Sequence, residues 1–205
     1  MKPEYWDRAK RSLARIDPVM AAIIRRHPRV HLVPRGEPFH TLARSIVGQQ
    51  ISVKAAQSVW NKFSGVAVDV VPERILQLKS TELRTCGLSA RKVEYISDLA
   101  RRFADGVVHV HRWPGMDDEE VIEDLVQVRG IGRWTAEMFL MFNLLRPDVF
   151  PLGDLGLQKG LRLAYHGGRK VSMKTMIGRG ETLRPWRSVA TWYLWRSLDP
   201  VPVEY

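Results

Sequence analysis

The chain has 205 residues, 45% hydrophobic and 26% charged, the proportions of an ordinary globular protein with room for one compact domain or two small lobes sharing a core. Lys and Arg number 32 against 22 Asp and Glu, and the resulting net charge of +10, with a pI near 10.1, favours a polyanionic partner, nucleic acid first among them. A single cysteine, Cys86, rules out an intrachain disulfide, a Cys-based zinc site and a four-cysteine iron–sulfur cluster; no apolar run is long enough to cross a bilayer, the N-terminus has no signal-peptide core, and the cytoplasm is the expected compartment.

In chain order, the pattern predicts a helix from about Tyr5 to Arg15 and another from Pro18 to Arg26, the second with Asp17 as cap and Pro18 at the first helical position. The prolines and glycine of HPRVHLVPRGEPF break any periodicity, so His27 and His31 read as loop histidines. From Phe39 to Phe63 an apolar stripe of Leu42, Ile46, Val53, Ala56 and Trp60 runs at helical spacing. The patch GQQIS interrupts it, and a break between two helices with Ser52 capping the second accounts for the interruption. Gln49 and Gln50 then stand on an exposed turn. By itself this patch reads as an ordinary polar turn.

Short helices are expected at Pro72–Leu78 and Ser80–Leu83, closed by Gly87, followed by a long one capped by Ser89 with Val93, Ile96, Leu99, Ala100 and Phe103 on its apolar side. Arg91 and Lys92 sit in its first turn, against the helix dipole, which points to a compensating anion or to simple solvation. Asp117 and Glu120 form a capping box for MDDEEVIEDLVQV, whose acidic cluster is expected to face away from any polyanion. Gly130-Ile131-Gly132 then joins this helix to a second one, Trp134 to Leu145. The preceding element is an amphipathic helix, not a strand, so the two glycines do not make a dinucleotide fingerprint. Glycines at a helix entrance let backbone N–H groups approach a phosphate. After Arg146-Pro147, VFPLGD delivers Asp154 to the start of a basic helix; GGRKVSMKTMIGRG reads as irregular or briefly helical; and Pro185 to Leu198 forms an aromatic-rich helix with Trp186, Val189, Trp192, Tyr193 and Trp195. No strand run or repeat emerges, and the whole chain reads as all-α.

The blocks GQQIS, CGLSARKVEYI, VRGIGRWTAEMFLMF, DVFPLGDLGLQKG and PWRSVATWYLW, in this order and spacing, resemble the helix-hairpin-helix DNA glycosylases with a Gly/Pro-rich loop and catalytic Asp (HhH-GPD), and most of all their alkyl-base branch, the 3-methyladenine DNA glycosylase II type. The resemblance covers roughly residues 38 to 198. It implies two helical lobes, about 38–150 and 1–37 with 151–205, and an active-site cleft between them. It places a phosphate grip on Gly130, Gly132 and Thr135, a catalytic carboxylate on Asp154 and base-pocket walls on Trp134 and Trp195. Met138 falls where a tyrosine can line that pocket. Gln49 and Gln50 fall on the loop that fills the gap left in the duplex, where members can carry an apolar wedge. The carbonyls of Val126, Val128 and Ile131 match those that bind a monovalent cation, Na⁺ or K⁺; no cofactor is otherwise required.

Bifunctional relatives carry a lysine nucleophile where this chain has Trp134, so the resemblance implies hydrolysis of the N-glycosidic bond without a lyase step. The expected partner is double-stranded DNA with an N-alkylated purine, bound by a monomer with no membrane attachment. Without the resemblance, Asp154 reads first as a helix N-cap and the tryptophans as core. Two other readings stay open: excision of another lesion, such as uracil or a deaminated or oxidised base, and a non-catalytic hairpin DNA-binding protein.

Overall fold

The computed structural model describes residues 2–198; the last seven positions of the expected terminal lobe lie outside the described residues. Among the described residues twelve α-helices and one 3₁₀ turn (Trp113–Gly115) succeed one another without a strand. The all-α fold follows the helical periodicity of the sequence. No helix among these residues is long and apolar enough to cross a membrane.

The chain separates into two compact units, one running up to Pro34 and resuming at Leu140, the other being Arg35–Phe139. The first unit holds α1 (Trp6–Ile16), α2 (Pro18–Arg26), α10 (Leu155–His166), α11 (Met173–Thr182) and α12 (Arg187–Leu198). Asp17 accepts from the N–H groups of Val19 and Met20, both at 2.9 Å, which starts α2 immediately after α1 ends. Its other oxygen accepts from the Tyr165 hydroxyl of α10 at 3.0 Å and meets Arg179 of α11 at 3.5 Å, so one buried carboxylate ties three helices. Trp6 and Tyr193 pack ring to ring, centroids 6.0 Å apart, and α12, with nine buried residues in a row from Ser188, is the core helix of this unit.

The second unit holds α3 (Pro38–Gly48), α4 (Val53–Ala67), α5 (Pro72–Gln77), α6 (Ser80–Thr85), α7 (Ala90–Ala104) and α8 (Asp118–Val126), and α9 (Arg133–Phe142) begins in it. Ser52, Ser89 and Asp117 cap α4, α7 and α8. Asp124, 4% exposed, accepts from the backbone N–H of His109 (2.9 Å) and the indole of Trp113 (2.8 Å) and pairs with His109 Nδ1 (2.8 Å), which pins the loop before α8. That loop therefore carries its histidine for structure.

Three sequence-based expectations are corrected. The segment read as irregular or briefly helical carries a full helix, α11, ten residues long and capped by Ser172 through the Thr175 N–H at 3.1 Å. Its Gly180 is no breaker, because a Cβ there would stand 2.4 Å from the Phe150 ring; the glycine serves close packing. The helix expected to reach Leu145 ends at Phe142: Leu145 adopts φ +53° and Arg146 N–H turns back to Leu140 O at 2.9 Å. Val53, expected on the buried stripe, is exposed. Glu119 of the acidic cluster makes a two-bond fork with Arg133, the residue after Gly132.

Candidate active site

In the first unit the site centres on Asp154, which caps α10 as an N-cap should. Its Oδ1 accepts from Leu157 N–H at 2.6 Å and from the Trp195 indole Nε1 at 2.8 Å, and the residue is 9% exposed. A helix N-terminus and two directed donors all stabilise negative charge on this carboxylate. The cap that the sequence indicates is present, and it fixes the carboxylate in direction.

What aims Trp195 at Asp154 is the close approach of α12 to α10. A Cβ on Gly156 would sit 3.0 Å from Asp154 Oδ1 and 3.2 Å from both Cδ1 and Nε1 of Trp195; one turn later, a Cβ on Gly160 would meet Leu194 at 3.1 Å. The two glycines, four residues apart, make the groove in which α12 lies. Phe142 stacks on Trp195 with centroids 6.1 Å apart and planes 9° apart, and Trp192 meets it edge to face. Trp195 is 8% exposed, so its first task in the fold is to hold the carboxylate.

The loop from Asn143 to Gly153 that carries Asp154 is fastened to the head of α12. Arg187 grips Asp148 through Nε to Oδ1 and Nη2 to Oδ2, both 2.9 Å, and Arg184 adds a bond of 2.6 Å to the same carboxylate. Ser188 donates to Arg146 O (2.6 Å) and accepts from Val149 N–H (2.8 Å). Asp148, Gly156, Arg187 and Ser188 were missed as functional residues. The letters DVFPLGDLG and PWRS contain them, but nothing in a linear pattern says that an Asp and an Arg 39 positions apart form a bidentate pair.

In the second unit lie the hairpin and the Gln49-Gln50 turn. Gly130 has φ +83°, and a Cβ there would come within 2.2 Å of the Tyr95 ring of α7, so only glycine fits. Arg129 N–H donates to Asp98 Oδ2 at 2.9 Å, which fixes the turn from the α7 side. Gly132 is exposed with open space around its Cα, at the head of α9, where the first helical turn presents backbone N–H groups. Thr135 is buried one turn in. A helix entrance of this kind can accept an anion.

Beside it is a cavity of about 500 Å³ lined by Gln49, Gln50, Ile51, Trp134, Thr135 and Met138 among others. Trp134 is 37% exposed, unlike an ordinary core tryptophan, whereas Met138 is buried with its edge on the cavity. Gln49 donates through Nε2 to Gly130 O at 2.8 Å, and Gln50 is exposed at φ +58°, left-handed backbone that a non-glycine residue adopts at a cost. Val126 is exposed, Val128 and Ile131 are buried, and Val128 O accepts from Ile131 N–H at 3.1 Å. No cluster of His, Cys, Asp and Glu able to hold a metal exists among the described residues.

Residues 43–183 match the HhH-GPD superfamily of base excision DNA repair proteins. The chain is 34% identical over 165 residues to DNA-3-methyladenine glycosylase 1 of Schizosaccharomyces pombe, covering 78% of this chain and 72% of that protein. Among solved structures it is similar to the Schizosaccharomyces pombe 3-methyladenine DNA glycosylase in complex with abasic DNA (TM-score 0.80, 31% identity, 96% of this chain and 100% of that one). It is also similar to a DNA-3-methyladenine glycosidase from Bacillus halodurans (TM-score 0.79, 34% identity, 89% and 90%). The chain spans about two thirds of the length of several other curated relatives.

Proposed function

The chain belongs to the HhH-GPD superfamily of base excision DNA repair proteins, and on that premise we propose that it is a monofunctional DNA glycosylase that hydrolyses the N-glycosidic bond of N-alkylated purines of the 3-methyladenine and 7-methylguanine type. The observation that carries the reading is Asp154, a carboxylate held at the head of α10 by the Leu157 amide and the Trp195 indole.

Alkylation at a ring nitrogen gives the purine a formal positive charge, so the base is already a good leaving group and general-acid assistance is less needed. The C1′–N bond breaks with its electron pair leaving on the base, which becomes neutral. The sugar is left as an oxocarbenium-like cation; water oxygen bonds to C1′ and a proton is released. A fixed anion near the developing cation lowers this barrier, and Asp154 supplies it. An aromatic wall attracts a charged ring by cation–π interaction, worth about 0.5 to 2 kcal/mol, and Trp195 is assigned to the base pocket on that ground. Trp134 and Met138 are assigned to base recognition, and Gln49 and Gln50 to the gap left in the duplex. Extruding the base costs a few kcal/mol, least for a damaged pair, which adds selectivity.

Gly130, Gly132 and Thr135 are assigned to a DNA phosphate. The carbonyls of Val126, Val128 and Ile131 are neutral oxygen donors, a set that suits Na⁺ or K⁺, and Val128 O keeps a second lone pair after accepting from Ile131. Such an ion would stiffen the hairpin and takes no part in the bond-breaking step. Trp134 has no amine to form a Schiff base, which supports a reaction that stops at the abasic site.

The test is incubation with methylated duplex DNA. Expected are free 3-methyladenine and abasic sites, with strand cleavage only after alkali. Strand scission without alkali would contradict the monofunctional reading, and DNA binding with no base released from any lesion-bearing duplex would contradict catalysis.

A further inference from the structure

Lys92 is the residue the sequence leaves unexplained. It stands in the first turn of α7, where a positive charge opposes the helix dipole. The structure shows what compensates it, and it is no anion: Nζ donates to Val47 O at 2.7 Å and to Gln49 O at 2.8 Å, carbonyls from the C-terminal end of α3. One ammonium thus caps the negative end of α3, a role open to a lysine from another helix. Burial pulls the Lys92 pKa down, as expected for an ammonium drawn from water into a backbone socket.

The socket is the start of the Gln49-Gln50 turn. Gln50 follows at φ +58°, so the turn is held in a conformation it would not choose alone. On the same face of α7, at spacings of three, Tyr95 packs on Gly130 and Asp98 accepts from Arg129 N–H. Gln49 Nε2 closes the circuit on Gly130 O. One stripe of α7 therefore carries both the turn and the hairpin.

We propose that Lys92 is a positioning residue that sets the Gln49-Gln50 turn in register with the phosphate-binding hairpin, so that seating the hairpin on the backbone also fixes how Gln50 is presented to the gap left by the extruded base. This rests on the gap-filling reading of that turn. A filler matters most when the lesion must be drawn out of an intact pair and stack, and least when its partner base is missing.

The experiment is single-turnover excision of 7-methylguanine by the whole protein. Two duplexes are compared, one with cytosine and one with a tetrahydrofuran abasic analogue opposite the lesion. Lys92→Met is expected to slow excision from the paired duplex by about tenfold and from the unpaired one by less than about twofold. Lys92→Arg, which can still donate to carbonyls, is expected to restore most of the rate. In a Gln50→Ala background Lys92→Met is expected to add nothing further, because it acts through Gln50. Equal slowing of both duplexes by Lys92→Met, or effects that multiply in the double variant, would overturn the proposal. If Gln50→Ala does not discriminate between the duplexes, the gap-filling reading fails first; if it does and Lys92→Met does not, only the Lys92 inference fails. Thermal unfolding is followed throughout. Should Lys92→Met not fold, Lys92→Gln, whose shorter neutral side chain gives up the ammonium bonds to Val47 O and Gln49 O, takes its place with the same expected and overturning results.

Discussion

The carboxylate of Asp154 answers to one indole. Trp195 Nε1 is a directed donor at 2.8 Å, and a hydrogen bond to a charged group is worth about 1.5–3 kcal/mol. Trp195→Phe keeps an aromatic face on Phe142 and removes only the donor. Its expected effect is a fall in the excision rate constant of about tenfold or more, with affinity for abasic DNA little changed. A variant with weakened binding and an unchanged rate constant would place Trp195 in recognition instead. At this scale the sequence was legible where one residue carries the signal, as with Asp154 as a cap. Gly156 was not legible. Its meaning lies in the 3.0 Å it leaves to Asp154 Oδ1 and 3.2 Å to Trp195, a property of α12 as much as of its own neighbours.

Elements were read well where a cap begins them and poorly where tertiary packing decides. Ser52, Ser89, Asp117 and Asp17 all start their helices as the sequence indicates, because a side-chain oxygen three residues or fewer from the first free amide is a local fact. α11 was read as at most a brief helix because its glycines weigh against one, and their compensation, the contact of Gly180 with Phe150, is made by a remote residue. Two further outcomes belong to elements. Gly130→Ala forces a methyl into the Tyr95 ring in a left-handed backbone, and should lower both the melting temperature and the affinity for undamaged duplex DNA; a variant with wild-type affinity would show that the hairpin does not hold the phosphate. Arg187→Ala leaves Asp148, 20% exposed, without its bidentate partner, at an expected stability cost of about 3 kcal/mol by chemical unfolding. A cost below about 0.5 kcal/mol, typical of surface changes, would mean the loop carrying Asp154 is held otherwise.

For the whole molecule the net charge of +10 and the hairpin point to the same partner. If phosphate contacts dominate, the logarithm of the binding constant should fall linearly with the logarithm of salt concentration, and a flat profile would exclude this mode of binding. All-α architecture, the order of the motifs and the family were legible in one sequence, since composition, periodicity and five ordered blocks are properties of the chain itself. The ties between blocks were not: Asp148 to Arg187, Lys92 to the end of α3 and Gln49 to Gly130 join positions between 39 and 81 residues apart. They exist only once the helices have packed.

The central claim is that the negative charge of Asp154 drives removal of the base. Asp154→Asn tests it most directly, because asparagine caps a helix as well as aspartate does and keeps an oxygen for the Leu157 amide, so fold and position are retained while the charge is lost. The measurement is the single-turnover rate of 3-methyladenine release, alongside affinity for the same duplex. A loss of about 10²-fold or more in rate with affinity preserved is the predicted result; release at close to the wild-type rate would contradict it.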